Sequence, residues 1–367
     1  MELMEDGTTI EQQMFAMATE KKVPLYGVLE LLPLCNLNCD MCYVRMSREE
    51  MEEVGRLRTM EEWTKTAEDM MRAGTLFVLL TGGEPLLYPH FRELYQLREL
   101  GMIITINTNG TLIDEAWADF FAENKPRRIN ITLYGASNET YERLCHYPGG
   151  FDKAVNGIRL LRERNIDVKV NGSLAKANVD DRMKIIELGE SLDAPVRIDT
   201  YMYPSVRERN HAYNNQARLD PEMAAKARVE VLQREMGEEV FAQYRKIQLD
   251  EAENTPEGEA VPGQMACRAG KSSFVVNWQG EMRSCVVLDK PSIPLRDVEF
   301  EEAWKFTKKE TESLRISARC SSCKLRKVCN TCVAAAIAET GKADGVPEYL
   351  CRYTEATVRY LKETSKK

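Results

Sequence analysis

"LYGVLELL", residues 25–32, runs directly into "PLCNLNCDMCYV", residues 33–44. The first run is apolar almost throughout, as in a strand buried on both faces of a parallel sheet. The second places Cys35, Cys39 and Cys42 in the loop leaving that strand. Five later runs repeat the strand pattern: "LFVLLT" (76–81), "MIITINT" (102–108), "RINITLY" (128–134), "VKVNGSL" (168–174) and "PVRIDTY" (195–201). Helical patterns lie between them. "TMEEWTKTAEDMMRAG" (59–74) has Thr59 and Glu62 as a capping box and Gly74 as its stop. "FDKAVNGIRLLRERN" (151–165) keeps its apolar residues on one face and basic ones near its end. Six strand–helix units in succession predict a parallel α/β sheet, curled or open.

The N-terminal "MELMEDGTTIEQQMFAMATEKK" is acidic and helical in period, unlike a signal peptide, and no run of 18 apolar residues exists. A cytoplasmic protein without a membrane span is therefore expected. The chain has 367 residues, 43% of them hydrophobic, enough for a sizeable core and two domains. A net charge of −8 gives no footprint for nucleic acid. After the sixth unit, "DPEMAAKARVEVLQREMGEEVFAQYRKIQ" (220–248) reads as one long helix and "LDEAENTPEGEAVPGQ" (249–264) as a linker. Seven of the eleven cysteines follow, between Cys267 and Cys351. The expected organisation is a helical extension (1–23), an α/β domain (24–220), a helix and linker (221–262) and a cysteine-rich domain (263–367). The odd cysteine count, the short spacings and the lack of a secretion signal favour metal ligation over disulfides. With only three histidines, none in a zinc spacing, the ligands must be mostly thiolates.

Functional groups in parallel α/β domains collect at the C-terminal ends of strands. The cysteine triplet follows the first strand, "TGGEP" (81–85) the second, "NTNG" (107–110) the third and "LYGAS" (133–137) the fourth. All four belong on one rim. Three thiolates leave one iron of a 4Fe–4S cluster open to an exogenous ligand. Gly82 and Gly83 permit close backbone approach, and Glu84 offers a charge for an ammonium group. Alone, "GGEP" is also an ordinary glycine-rich turn.

Together these motifs resemble the radical S-adenosylmethionine (SAM) superfamily, whose cluster motif is Cys-x3-Cys-x2-Cys. The resemblance implies a partial (β/α)6 TIM-like barrel. It also implies a 4Fe–4S cluster on Cys35, Cys39 and Cys42, with SAM chelating the fourth iron. One electron then cleaves SAM to a 5′-deoxyadenosyl radical, which abstracts a substrate hydrogen. By position, Gly82, Gly83 and Glu84 orient the methionine end and Asn107 and Asn109 meet the ribose. Thr132 and Ser173 sit at strand ends nearby, and Arg143 stands where related enzymes place a partner for the SAM carboxylate. An aromatic residue commonly precedes the third cysteine in the family; here Met41 does, with Tyr43 after it, and a thioether also packs on a ring.

The C-terminal cysteines resemble the SPASM module, which carries auxiliary clusters in peptide and protein maturases. Cys267, Gly280 and Cys285 precede "CSSCKLRKVCNTC" (320–332), and Cys351 closes the set. The last close pair is separated by two residues where the family usually has three. Family topology assigns one auxiliary 4Fe–4S cluster to Cys320, Cys323, Cys329 and Cys351, and another to Cys267, Cys285 and Cys332. That makes three clusters in all, the last with an open or non-cysteine fourth position. A zinc ribbon on Cys320, Cys323, Cys329 and Cys332 is the alternative. Only Cys145 is left over, either a thiol hydrogen donor to a substrate radical or a small buried hydrophobe.

The leading expectation is a radical SAM/SPASM enzyme, an anaerobic RiPP-maturase-like oxidoreductase that modifies a ribosomally made peptide, with a thioether or other crosslink favoured. Its implied partners are an electron donor such as flavodoxin or ferredoxin and, unless the barrel and SPASM surfaces themselves recognise the leader, a separate leader-binding protein. Anaerobic sulfatase (formylglycine) maturase is the second reading, although Val286 replaces the acid those enzymes place after the Gly-x4-Cys cysteine. A small-molecule dehydrogenase or tailoring enzyme is a third. An Fe–S electron-transfer or scaffold protein is a fourth, disfavoured because a carrier has no need of "TGGEP".

Overall fold

The computed structural model describes residues 9–203 and 217–364; His211 lies outside them. Nine strands form one sheet among the described residues: β1 (Tyr26–Glu30), β2 (Phe77–Thr81), β3 (Ile103–Thr108), β4 (Arg128–Leu133), β5 (Val168–Ser173), β6 (Val196–Asp199), β7 (Ser273–Val276), β8 (Glu281–Arg283) and β9 (Ser292–Pro294). Their spatial order is β6-β5-β4-β3-β2-β1-β7-β8-β9. The first six are parallel neighbours in sequence order, and each matches an apolar run read from the sequence. This is the α/β partial barrel.

The helices follow in chain order: α1 (Ile10–Lys21), α2 (Arg48–Val54), α3 (Met60–Arg72), α4 (Phe91–Tyr95), α5 (Glu115–Glu123), α6 (Asn138–Cys145), α7 (Gly150–Glu163) and α8 (Arg182–Ser191). Then come α9 (Pro221–Asn254), α10 (Phe300–Ser313), α11 (Ala318–Ser322), α12 (Val333–Thr340) and α13 (Glu348–Glu363). Reciprocal capping boxes start α1 at Thr9, α2 at Ser47 and α3 at Thr59, each satisfying two otherwise orphaned donors. Trp63, Ala67 and Met70 put the apolar face of α3 into the main core. No described helix is long and apolar enough to cross a membrane.

The strands are not apolar on both faces throughout. Along β3, β4 and β5 burial alternates, with Ile104, Ile106, Ile129, Ile131, Val168 and Val170 turned into the core. The opposite face carries Asn107, Thr132 and Ser173 and lines a cavity. Asn107 and Asn130 are register partners, and the Asn130 amide donates to Asn107 Oδ1 at 2.8 Å. A polar row inside a curled sheet is how this barrel makes room for a ligand.

Two boundaries differ from expectation. Residues 249–254, read as linker, extend α9, because the helix runs on to a cap at Thr255. The boundary near residue 263 does not separate two sheets, since β7 pairs in parallel with β1, Tyr26 opposite Ser273 through Leu29 opposite Val276. An antiparallel meander through β8 and β9 then extends the same sheet.

Candidate active site

The loop after β1 is shaped by the loop after β2. Gly83 N–H donates to Leu32 O at 2.7 Å and Glu84 N–H to Leu34 O at 2.9 Å. A Cβ on Gly83 would stand 2.3 Å from Leu34 O, and one on Gly82, whose φ is +145°, 2.5 Å from Leu32 O. Glycine is therefore required at both places, and "TGGEP" is laced to the residues just before Cys35.

The triplet then enters a wide cavity. Cys35, Cys39 and Cys42 line it with Gly82, Gly83 and Asn107, and so do Met41, Tyr43, Thr132 and Ser173. Backbone N–H groups already point at two of the sulfurs, from Leu37 to Cys35 Sγ at 3.4 Å and from Arg45 to Cys42 Sγ at 3.3 Å. Burial, with Glu84 second, pushes the Cys35 thiol far above its ordinary pKa. A bound iron would offset that cost, so the donor set fits a thiolate-ligated cluster with one open corner.

Four expected residues take other positions. The Glu84 carboxylate is fully buried and accepts from Thr108 Oγ1 (2.7 Å), Asn109 N–H (2.8 Å) and Leu86 N–H (3.2 Å). It braces the end of β3 and does not face an incoming ammonium. Asn109 lines the cavity, but its amide is committed to Asn36 and Cys35. Arg143 is a correction: it lies on the outer face of α6, reaching Ala177 O at 2.6 Å and Glu139 at 3.7 Å. It borders a separate outer pocket with Asp40 and Lys176 and does not line the cavity that holds the triplet. Cys145 is another: it has no exposure, and its thiol neighbours Cys39 from within the core, where no substrate radical reaches it. The Asn38 and Asp40 N–H groups donate to Cys145 O (2.9 Å) and Leu144 O (3.0 Å), tying the triplet loop to that corner.

The C-terminal cysteines divide into two neighbourhoods. Cys285 and Cys332 each feel Cys267, and Cys285 feels Cys332. Cys320 feels Cys323 and Cys329, while Cys351 feels Cys320 and Cys329. Burial is the leading cause of the raised pKa in Cys285, Cys332, Cys320 and Cys351. Cys332 thus falls with Cys267 and Cys285 and not with Cys320, Cys323 and Cys329, a grouping that does not match a zinc ribbon on Cys320, Cys323, Cys329 and Cys332.

Residues not singled out in the sequence complete the cavity. Its volume is about 780 Å³, and it reaches from the triplet to Arg228, Tyr244 and Gln248 of α9, Tyr353 of α13, and Lys327 and Asn330. Tyr201 and Tyr203, in the "TYMY" that follows β6, also line it, and the Tyr203 phenol is a hydrogen-bonding neighbour of Cys332. Their place after a strand was the one readable signal; the contributions of α9 and α13 depend on tertiary packing.

Comparison with known proteins agrees with this geometry. Residues 29–189 match the radical SAM superfamily model. The AdoMet-dependent heme synthase of Methanosarcina barkeri is 25% identical over 326 residues, 85% of this chain and 92% of that protein. The PqqA peptide cyclase of Rhodopseudomonas palustris is 28% identical over 203 residues, 55% of this chain and 52% of that protein. The fold is shared with anSMEcpe, solved with bound AdoMet and the Kp18Cys peptide, at a TM-score of 0.67 and 19% identity over 94% of this chain and 99% of that one. The laced triplet, the glycine pair and these matches identify residues 29–189 as a radical SAM domain, in a chain with SPASM-type peptide maturases among its homologues.

Proposed function

We propose that this radical SAM enzyme modifies a ribosomally made peptide, with a thioether or other crosslink as the favoured product. The observation that carries the reading is the single cavity of about 780 Å³ joining the cysteine triplet to α9, α13 and the C-terminal cysteine loop. That volume is at the upper end for small-ligand sites and leaves room beyond SAM. The cavity wall mixes tyrosine rings with amide and charged groups suited to a peptide. The peptide named for the cyclase relative and the peptide bound by anSMEcpe support the same class.

In this reading Cys35, Cys39 and Cys42 hold the cluster, and the backbone at Gly82 and Gly83 receives the methionine end of SAM. Asn107, Thr132, Ser173, Met41 and Tyr43 surround the rest of SAM. When bound there, the cluster and SAM would supply one-electron radical chemistry able to abstract a substrate hydrogen. Two auxiliary 4Fe–4S clusters occupy the Cys267/Cys285/Cys332 and Cys320/Cys323/Cys329/Cys351 neighbourhoods. A cytoplasmic location, a flavodoxin- or ferredoxin-type donor and a separate leader-binding protein belong to the same proposal.

A haem precursor is the second reading. The heme synthase relative aligns over more of the chain than the peptide cyclase does. Tyr201, Tyr203, Arg197, Arg228 and Lys327 in the cavity also suit a flat, carboxylate-bearing ring system. Anaerobic reconstituted enzyme given SAM and reductant should form 5′-deoxyadenosine; forming none would sink both readings. A peptide encoded beside the enzyme that loses hydrogen in step with 5′-deoxyadenosine supports the first. Turnover coupled only to a haem precursor replaces it with the second.

A further inference from the structure

Asn109 was expected at the ribose, yet its side chain is committed elsewhere. Its Nδ2 donates to Asn36 Oδ1 at 2.9 Å, Asn36 Nδ2 donates to Thr111 Oγ1 at 2.8 Å, and Thr111 Oγ1 donates to Asn109 Oδ1 at 2.6 Å. The three bonds close a ring in which every donor meets an acceptor. Thr111 N–H adds a second bond to Asn109 Oδ1 at 2.9 Å. An amide's orientation is read from such a network; here the network turns the nitrogen, and not the oxygen, of Asn109 toward Cys35 Sγ, 3.7 Å away. Its backbone N–H is fixed on Glu84 Oε2, and the residue is 6% exposed. Once Cys35 ligates iron it has no proton to give Asn36, whose Oδ1 lies 4.0 Å from its sulfur. The sulfur then only accepts.

We propose that Asn109 is a positioning residue of the radical SAM cluster: its amide donates to the Cys35 thiolate and raises the cluster's reduction potential. Hydrogen bonds to ligand sulfurs favour the more negative, reduced cluster, and outer partners of metal ligands tune the site they support. The Asn36–Thr111 ring keeps the donor aimed. The role rests on the cluster at Cys35, Cys39 and Cys42 and is independent of the substrate.

The test is an anaerobic redox titration followed by electron paramagnetic resonance, with this cluster identified by its response to SAM. Asn109→Leu keeps a similar volume without the donor. Thr111→Val leaves Asn109 and the backbone N–H bond to its Oδ1 in place but removes the hydroxyl that closes the ring, so the amide is held less firmly. Both should have midpoints more negative than the parent, with the smaller change in Thr111→Val. If Asn109→Leu takes up no cluster, Thr111→Val decides alone. Parent-like midpoints in the variants that retain parent iron content overturn the proposal. A parent enzyme without any SAM-sensitive signal would instead defeat the cluster assignment.

Discussion

Glu84 sits where water does not reach, with three donors on its carboxylate. Those bonds favour the ionised form, but desolvation is larger and pushes its pKa up to about 7 from an ordinary 4.5. Well below pH 4.5 the carboxyl is protonated in folded and unfolded chains alike, and its contribution to stability is intact. As pH rises toward 7 the unfolded chain ionises first, so folding is progressively disfavoured. Across that window the loss is on the order of 3 kcal/mol. Glu84→Gln removes the titration, so the parent should lose more stability than the variant between about pH 5 and pH 8. Urea unfolding of both proteins at the two pH values checks this; equal losses would show that Glu84 ionises as freely in the folded chain as outside it. The acidic residue in "TGGEP" could be read from the sequence, but not the direction of its side chain. That direction follows from Thr108 and Asn109 at the end of a different strand.

The parallel strands and the helices between them were readable because their side-chain periods differ and their ends carry caps. The polar inner row of Asn107, Thr132 and Ser173 was visible only as residues at strand ends. Curling of the sheet is what turns them to a common interior. The long helix α9 was read as unbroken, and its middle departs from that. Gly237 has φ +71° and ψ 171°, a region open essentially to glycine, and it kinks the helix. Arg228 before the kink and Tyr244 and Gln248 after it line the same cavity. Phe241, also beyond the kink, packs with Val229, Leu232 and Leu361. In a regular helix Gly→Ala would stabilise by about 1 kcal/mol. Here a Cβ would meet nothing within 4 Å, so only the backbone opposes it. Gly237→Ala should therefore destabilise, by about 1–3 kcal/mol, opposite in sign to the regular-helix expectation. Thermal or urea unfolding reads that sign directly, and a stabilised variant would mean that α9 straightens at no cost.

At the scale of the whole molecule, the composition shift near residue 263 marks a change of chemistry without a break in the sheet. β1 carries the cysteine triplet at its C-terminal end and lies between β2 and β7. Its outer edge is thus closed by residues from beyond the expected boundary. Packing is tight at Gly27, where a Cβ would lie 2.8 Å from side-chain atoms of both Phe274 and Met70. Phe274 packs on Phe300 (ring centroids 5.3 Å) and Trp304 (6.0 Å), and Trp304 Nε1 donates to Lys22 O at 3.0 Å. The C-terminal part therefore holds the strand that presents the triplet, besides carrying its own cysteines. An unpaired parallel edge with an uncovered apolar face is a template for aggregation. A chain ending at residue 262 should accordingly fail to give a soluble monomer, although it retains all six barrel strands. Cys323→Ala in the full chain keeps β7 and should stay soluble while losing iron, because Cys323 is exposed and outside the sheet. Size-exclusion chromatography with iron determination separates the two effects. A folded, monomeric product from residues 1–262 would show that β1 and the triplet loop stand without β7, and that the cysteine-rich part is joined to the barrel for its clusters alone.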